Sequence, residues 1–114
     1  MARFGLLFLN EGRWQDNQLV PADWVAESTR PHLERERGGY GYMWWTFARG
    51  LKKLGTYAAL GNGGQTIIVV PGARLVLVHK AHTEAGHRVE TREILDVLIA
   101  ILKARTGPPP ATPE

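Results

Sequence analysis

The sequence predicts an α+β fold: an antiparallel sheet of three or more strands packed against a C-terminal helix. The strands fall at about residues 40–47, 65–71 and 74–80, the helix at about 89–104, and two short N-terminal helices at about 2–10 and 21–29. Three observations carry this. Thr66–Val70 and Leu75–Val78 are apolar runs rich in β-branched residues, separated by Pro71-Gly72, the signature of a hairpin. Both faces of the first run are apolar, Ile67 and Val69 on one side and Thr66, Ile68 and Val70 on the other. A strand of that kind is covered on both sides and belongs inside a sheet. Finally, Ile94, Leu95, Leu98, Ile101 and Leu102 recur at helical spacing.

Taken in order, residues 1–9 place Phe4, Leu7 and Phe8 at helical spacing, with Gly12 positioned to end the helix. Arg13 to Gln18 is a polar turn with Asp16-Asn17 at its apex. Pro21 opens the second helix as a first-turn proline, with Trp24 and Val25 buried and Pro31 ending it. Arg30 to Gly39, where Glu34, Arg35, Glu36 and Arg37 alternate in sign, reads as a solvated loop. Tyr40 to Phe47 reads as one strand. Tyr40, Tyr42, Trp44 and Thr46 would share one face, and Gly41, Met43, Trp45 and Phe47 the other. Arg49 to Gly55 is a basic turn carrying Lys52 and Lys53. Glu90 and Glu93 in the first turn of the last helix, with Lys103 and Arg105 at its end, suit the helix dipole. Residues 1–105 form one domain, and Thr106 to Glu114, TGPPPATPE, is a proline-rich tail expected to be disordered.

The glycines before the central strand, Gly61, Gly63 and Gly64, permit positive φ and close approach to the backbone. Two readings account for them: a ligand lying against main-chain N–H groups, or a bulge or sharp turn into the strand without a ligand. The order of motifs adds to the first. Tyr40-Gly41-Tyr42-Met43-Trp44-Trp45 comes first, then Gly61-Asn62-Gly63-Gly64-Gln65, then Val69-Val70-Pro71, Leu75-Val76-Leu77-Val78 and an apolar helix. Upstream stand Ala2-Arg3-Phe4-Gly5-Leu6-Leu7-Phe8-Leu9-Asn10 and Leu19-Val20-Pro21-Ala22-Asp23-Trp24-Val25. This succession, from about residue 2 to 104, resembles the C-terminal part of the serine β-lactamase-related hydrolases: class C β-lactamases, DD-peptidases, and the esterases and amide hydrolases of that fold.

The resemblance implies a partial β-lactamase-like sandwich and an acyl-transfer chemistry. It also shows what this chain lacks. Such hydrolases attack with the serine of a Ser-x-x-Lys motif, assisted by Tyr/Ser-x-Asn. Here the single serine, Ser28, is followed by Thr29, Arg30 and Pro31, and no tyrosine precedes an asparagine by two residues. Only a third element, a Lys-Thr-Gly-type triad, has a counterpart, Asn62-Gly63-Gly64. By the resemblance, the backbone N–H of Gln65 is one of two oxyanion-hole donors, and Asn62, Gly63 and Gly64 bind substrate. Asn62 brings no positive charge for a β-lactam carboxylate, which favours esters or amides. Met1 falls within what is a longer helix in that family. The chain is thus expected to be a C-terminal segment, inactive alone, without cofactor or metal.

Composition narrows the classes. The 114 residues are 44% hydrophobic and 22% charged, with net charge +3, ordinary for one globular domain. Absence of cysteine excludes disulfides, thiolate metal sites and a cysteine nucleophile, and fits a cytoplasmic chain. No apolar run has membrane-span length and no signal-peptide pattern opens the chain, so no membrane partner is expected. His79, His82, Glu84 and His87 are four potential ligands, yet 79 and 82 face opposite sides of a strand and match no zinc spacing. The resemblance puts His79 or His82 near a substrate cleft's rim. Trp44 and Trp45 beside Lys52 and Lys53 raise a single-strand nucleic-acid reading, but strand-period alternation fits aromatic packing instead, so no nucleic acid is expected. A non-catalytic binding or oligomerisation module is the alternative function. An incomplete sheet with an open edge predicts self-association or a companion N-terminal fragment.

Overall fold

The computed structural model describes residues 1–111. Helix α1 spans Ala2–Leu9, strands β1 (Arg13–Trp14) and β2 (Asn17–Gln18) form a small hairpin, and α2 spans Ala22–Thr29. Strands β3 (Leu33–Arg35), β4 (Gly38–Tyr40) and β5 (Trp45–Phe47) follow, then a short helix α3 (Arg49–Lys53). Strands β6 (Tyr57–Gly61), β7 (Gln65–Val70) and β8 (Leu75–His79) complete the sheet, and α4 spans Thr91–Ala104. The six strands β3 to β8 lie in sequence order, every neighbouring pair antiparallel. The α+β architecture is as the sequence predicts and is compatible with a partial β-lactamase-like fold, with helices on each face of the sheet.

The double-faced pattern of β7 produces two cores. Ile67 and Val69 join Phe8, Leu9, Val25, Trp44 and Tyr57 on the α1 side. Ile68 and Val70 join Ala58, Ala73, Ile94 and Leu98 on the α4 side. Ile68, Val69, Val70 and Leu98 are fully buried, each worth roughly 1.5–3 kcal/mol of transfer free energy. Gly5 sets how closely α1 approaches: a Cβ there would lie 2.6 Å from Val76 Cγ1 and 3.0 Å from Ile67 Cγ2. The other end of α1 is tied to the turn after β7. Arg74 donates to the Leu9 carbonyl at 3.0 Å and to Asn10 Oδ1 at 2.6 Å, placing a cation on the helix's negative end. Glu90 is the N-cap of α4 rather than a first-turn residue, paired with Glu93 in a capping box.

Several expectations are corrected. The stretch 40–47 is not one strand: β4 and β5 fold back on each other, Tyr40 opposite Trp45 and Gly38 opposite Phe47. The reversal is made by Met43 at φ 68° and by the Gly41 N–H donating to the Trp44 carbonyl at 2.7 Å. The proposed face-sharing of Tyr40, Tyr42, Trp44 and Thr46 therefore fails. Trp44 is buried against Phe8 and Tyr57, whereas Tyr42 stacks between Trp24 and His32 at centroid distances of 5.7 and 4.0 Å. Trp24 is accordingly half-exposed, not buried. The charged loop 30–39 contains the β3–β4 hairpin, and the basic turn 49–55 contains α3. Pro21 caps α2 instead of opening it, and Gln15-Asp16 forms the apex between β1 and β2. Tyr57–Gly61, which the sequence assigns to no strand, is one. The proline-rich stretch carries no helix or strand from 106 to 111, and residues 112–114 of the predicted tail lie outside the described residues. No helix among the described residues is long and apolar enough to cross a membrane.

Candidate functional site

Strands β6 and β7 pair from Tyr57 opposite Val69 to Gly61 opposite Gln65, which leaves Asn62, Gly63 and Gly64 as the hairpin loop. The four residues singled out by sequence therefore form one continuous tip. Gly63 sits at φ 76° and Gly64 at φ 97°, in the left-handed region that side chains with a Cβ disfavour. The segment that follows β8 lies across the same loop. A Cβ on Gly64 would fall 2.8 Å from the Val89 carbonyl oxygen, and one on Gly63 2.2 Å from Thr83 Cγ2. The Val89 N–H donates to the Gly63 carbonyl at 3.3 Å. Turn conformation and close approach thus both demand glycine here without reference to a ligand.

Side chains tighten this arrangement. The Gln65 amide clasps the backbone of Ala81 in both directions: Nε2 donates to its carbonyl at 2.6 Å, and its N–H donates to Oε1 at 3.3 Å. His79, the last residue of β8, places Nδ1 2.7 Å from the Gly64 carbonyl. A carbonyl only accepts, so Nδ1 carries the proton, and in the neutral ring Nε2 keeps its lone pair. Asn62 Oδ1 accepts from Arg88 at 3.0 Å. A cation therefore stands beside the loop, supplied from position 88 although position 62 is an uncharged amide. The resemblance places His79 or His82 near a cleft rim; the contact of His79 with the Gly64 carbonyl is not part of that expectation. Arg88 and the Ala81 clasp are not expected from sequence either, since contacts 26 and 16 residues apart leave no local pattern.

The remaining candidates separate from this tip. Ser28 is buried, and its hydroxyl donates back to the Val25 carbonyl at 3.3 Å, a packing role. No group of three or more His, Cys, Asp or Glu among the described residues is placed to hold a metal ion. Two cavities flank β3–β5. One of about 370 Å³ is lined by Thr29, Arg35, Thr46, Lys52 and Thr56, among others. The other, about 310 Å³, is bordered by Leu33, Tyr40, Trp45, Phe47 and Leu60. Neither includes residues 61–65. The first lies at the opposite end of β6 from the loop, roughly 16 Å away at about 3.3 Å per strand residue.

No family profile matches this chain, and no curated protein matches it. A solved chain does: a Bacillus anthracis protein provisionally described as a 6-aminohexanoate-dimer hydrolase. The two are 24% identical, with a TM-score of 0.60, over 92% of this chain and 29% of that one. The chain thus spans less than a third of that hydrolase's length, and over that part the two share a fold.

Proposed function

We propose that the chain is the C-terminal segment of a β-lactamase-related serine hydrolase acting on esters or amides, carrying the glycine-loop strand and half of an oxyanion hole. The observation that carries this reading is the glycine hairpin itself. It is a tip held by hydrogen bonds from Val89, Ala81 and His79 at the head of a covered strand, in a fold shared with part of a hydrolase. In this reading the Gln65 N–H is the main-chain donor toward the developing oxyanion, and Asn62, Gly63 and Gly64 line the substrate. A donor of this kind must be held before reaction begins in order to lower the barrier. The clasp to Ala81, the His79 contact and the Val89 contact supply that preorganisation. Arg88, hydrogen-bonded to Asn62, sets a positive charge beside the loop, so the preference for esters or amides rests on position 62 alone.

In this reading the attacking serine is not in this chain, so the isolated protein turns over no chromogenic ester or cephalosporin by a serine route. Turnover that survives Ser28→Ala would reveal another nucleophile and overturn the proposal. The encoding DNA offers a second test. An in-frame Ser-x-x-Lys and Tyr-x-Asn upstream of Met1 supports the reading, and an uninterrupted upstream frame without either counts against it.

A further inference from the structure

The face of the sheet that α4 covers over β6 and β7 continues beyond the reach of that helix. Across the register, Leu33, Tyr40, Trp45, Ala58 and Ile68 form one row on this face. Ala58 and Ile68 are fully buried with Ile94 and Leu98 of α4, whereas Trp45 is 41% and Leu33 51% exposed. Two residues along the strands, the next row is Arg35, Gly38 and Phe47. Gly38 contributes no side chain, so the face is hollow between an arginine and a phenylalanine. This hollow is the cavity of about 310 Å³, within the range of small-ligand sites, about 300–1,000 Å³.

Its walls are apolar at one end and cationic at the other. Tyr40 and Trp45 meet with ring centroids 4.6 Å apart and planes inclined at 59°, and Leu33 and Leu60 complete the apolar end. At the β3–β4 turn stand Arg35 and Arg37. Neither forms a salt bridge among the described residues, and no acidic side chain lines the cavity. Glu34, between Leu33 and Arg35 on the strand, points to the opposite face, where it lies 4.0 Å from Lys52. Every lining residue falls between positions 33 and 60, so the cavity is complete within this chain. The edge strand beside it, β3, is three residues long and carries two charges, features that discourage a further strand there.

We infer that this cavity binds a small organic anion with an apolar, ring-sized body. The body lies on Tyr40, Trp45, Leu33 and Leu60, and the anionic group accepts hydrogen bonds from Arg35 and Arg37. A guanidinium meets an anionic group through two parallel N–H donors and is itself weakly hydrated, so it gives up little water on pairing. The aromatic pair supplies contact area for the body. An uncharged ligand of the same shape gains only the apolar half. Nothing in this site depends on the proposed hydrolase reading, and no residue of the glycine loop lines it.

Two probes that share one ring system separate the two halves: 8-anilinonaphthalene-1-sulfonate, and N-phenyl-1-naphthylamine, which lacks the sulfonate. Calorimetric and fluorescence titration of the intact chain should show a single saturable site, with the anion held on the order of 10-fold more tightly than the neutral probe. Arg35→Gln combined with Arg37→Gln should reduce the anion to the neutral probe's affinity and leave the neutral probe unchanged. Arg92→Gln combined with Lys103→Gln on α4 alters the net charge equally and should affect neither. Leu33→Ala should weaken both probes several-fold. All these positions are exposed, so far-UV circular dichroism should stay as in the wild type. Absence of saturable binding, more than one site per chain, or equal affinity for the two probes overturns the inference. So does a loss of anion affinity that the α4 substitutions reproduce. A dimer in light scattering that Leu33→Ala dissociates overturns it as well, because a second copy would then fill the cavity.

Discussion

Alanine at position 64 measures whether the glycine loop is truly clamped. Gly64 sits at φ 97°, and an added Cβ would lie 2.8 Å from the Val89 carbonyl oxygen and 3.1 Å from Val89 Cβ. Two effects then add. Holding a residue with a Cβ in the left-handed region costs about 1–2 kcal/mol. Forcing a methyl into occupied space costs about 1–3 kcal/mol more, because the obstacle is backbone and not a pliable side-chain end. Gly86 separates the two effects: it sits at φ 80° with nothing within 4 Å of its would-be Cβ. Gly86→Ala therefore reports the conformational cost alone, and Gly64→Ala should exceed it by about 1–3 kcal/mol. At about 4 °C per kcal/mol for a domain of this size, that is a gap in midpoint of about 4–12 °C. Thermal and urea melts followed by far-UV circular dichroism read it directly. Equal destabilisation by the two substitutions would mean that Val89 does not lie on the loop, and the preorganisation proposed for the Gln65 N–H would lose its support.

Three more outcomes follow from the same geometry. Gln65→Ala removes the clasp and strands the Ala81 carbonyl and N–H, so stability should fall by about 1–2 kcal/mol, with faster amide exchange at residue 81 in mass spectrometry. Leu98→Ala empties a fully buried position beneath β7 and should cost about 3–4 kcal/mol in urea unfolding. Burial, with a smaller contribution from Glu11, pushes the Tyr57 phenol well above the usual tyrosine range. The fold thus favours the neutral form. Below about pH 10 both states keep the proton and nothing changes, while above it the unfolded chain ionises first and stability falls as pH rises. Tyr57→Phe should flatten that alkaline decline, and parallel melting curves for the two proteins above pH 10 would contradict it.

What the sequence disclosed followed from periodicity. β7, β8 and α4 were legible because each repeats an apolar pattern with the period of its own structure, and β7 showed both faces at once. β3 was hidden because its residues, Leu33, Glu34 and Arg35, are all exposed and so show no alternation. The split of 40–47 turns on Met43 adopting positive φ, a backbone state that a methionine gives no sign of. Trp24 looked like core, yet it finds an aromatic partner at the surface in Tyr42. The loop 62–64 was visible in its glycines. What holds it was not, because Arg88, Val89 and the Ala81 backbone reach it only after the chain has passed through β8 and turned back.

That return path links the loop to the open edge. β8 ends at His79, whose ring is hydrogen-bonded to the Gly64 carbonyl, and the chain then runs straight into the Gln65 clasp at Ala81. Order at the glycine tip is therefore transmitted through β8, whose outer side pairs with no strand among the described residues. A lone β8 holds its place by one ladder of hydrogen bonds and by packing under α1 and α4. A second ladder on its free side would restrict the same backbone that positions His79 and Ala81, and so would restrict the tip as well. Edge strands with one ladder open at lower free energy than interior strands. A partner along β8 raises that opening energy for residues 75–81 as a unit. The apolar edge and the glycine hairpin are in this sense one structural device: a glycine tip whose order depends on what lies along the neighbouring strand.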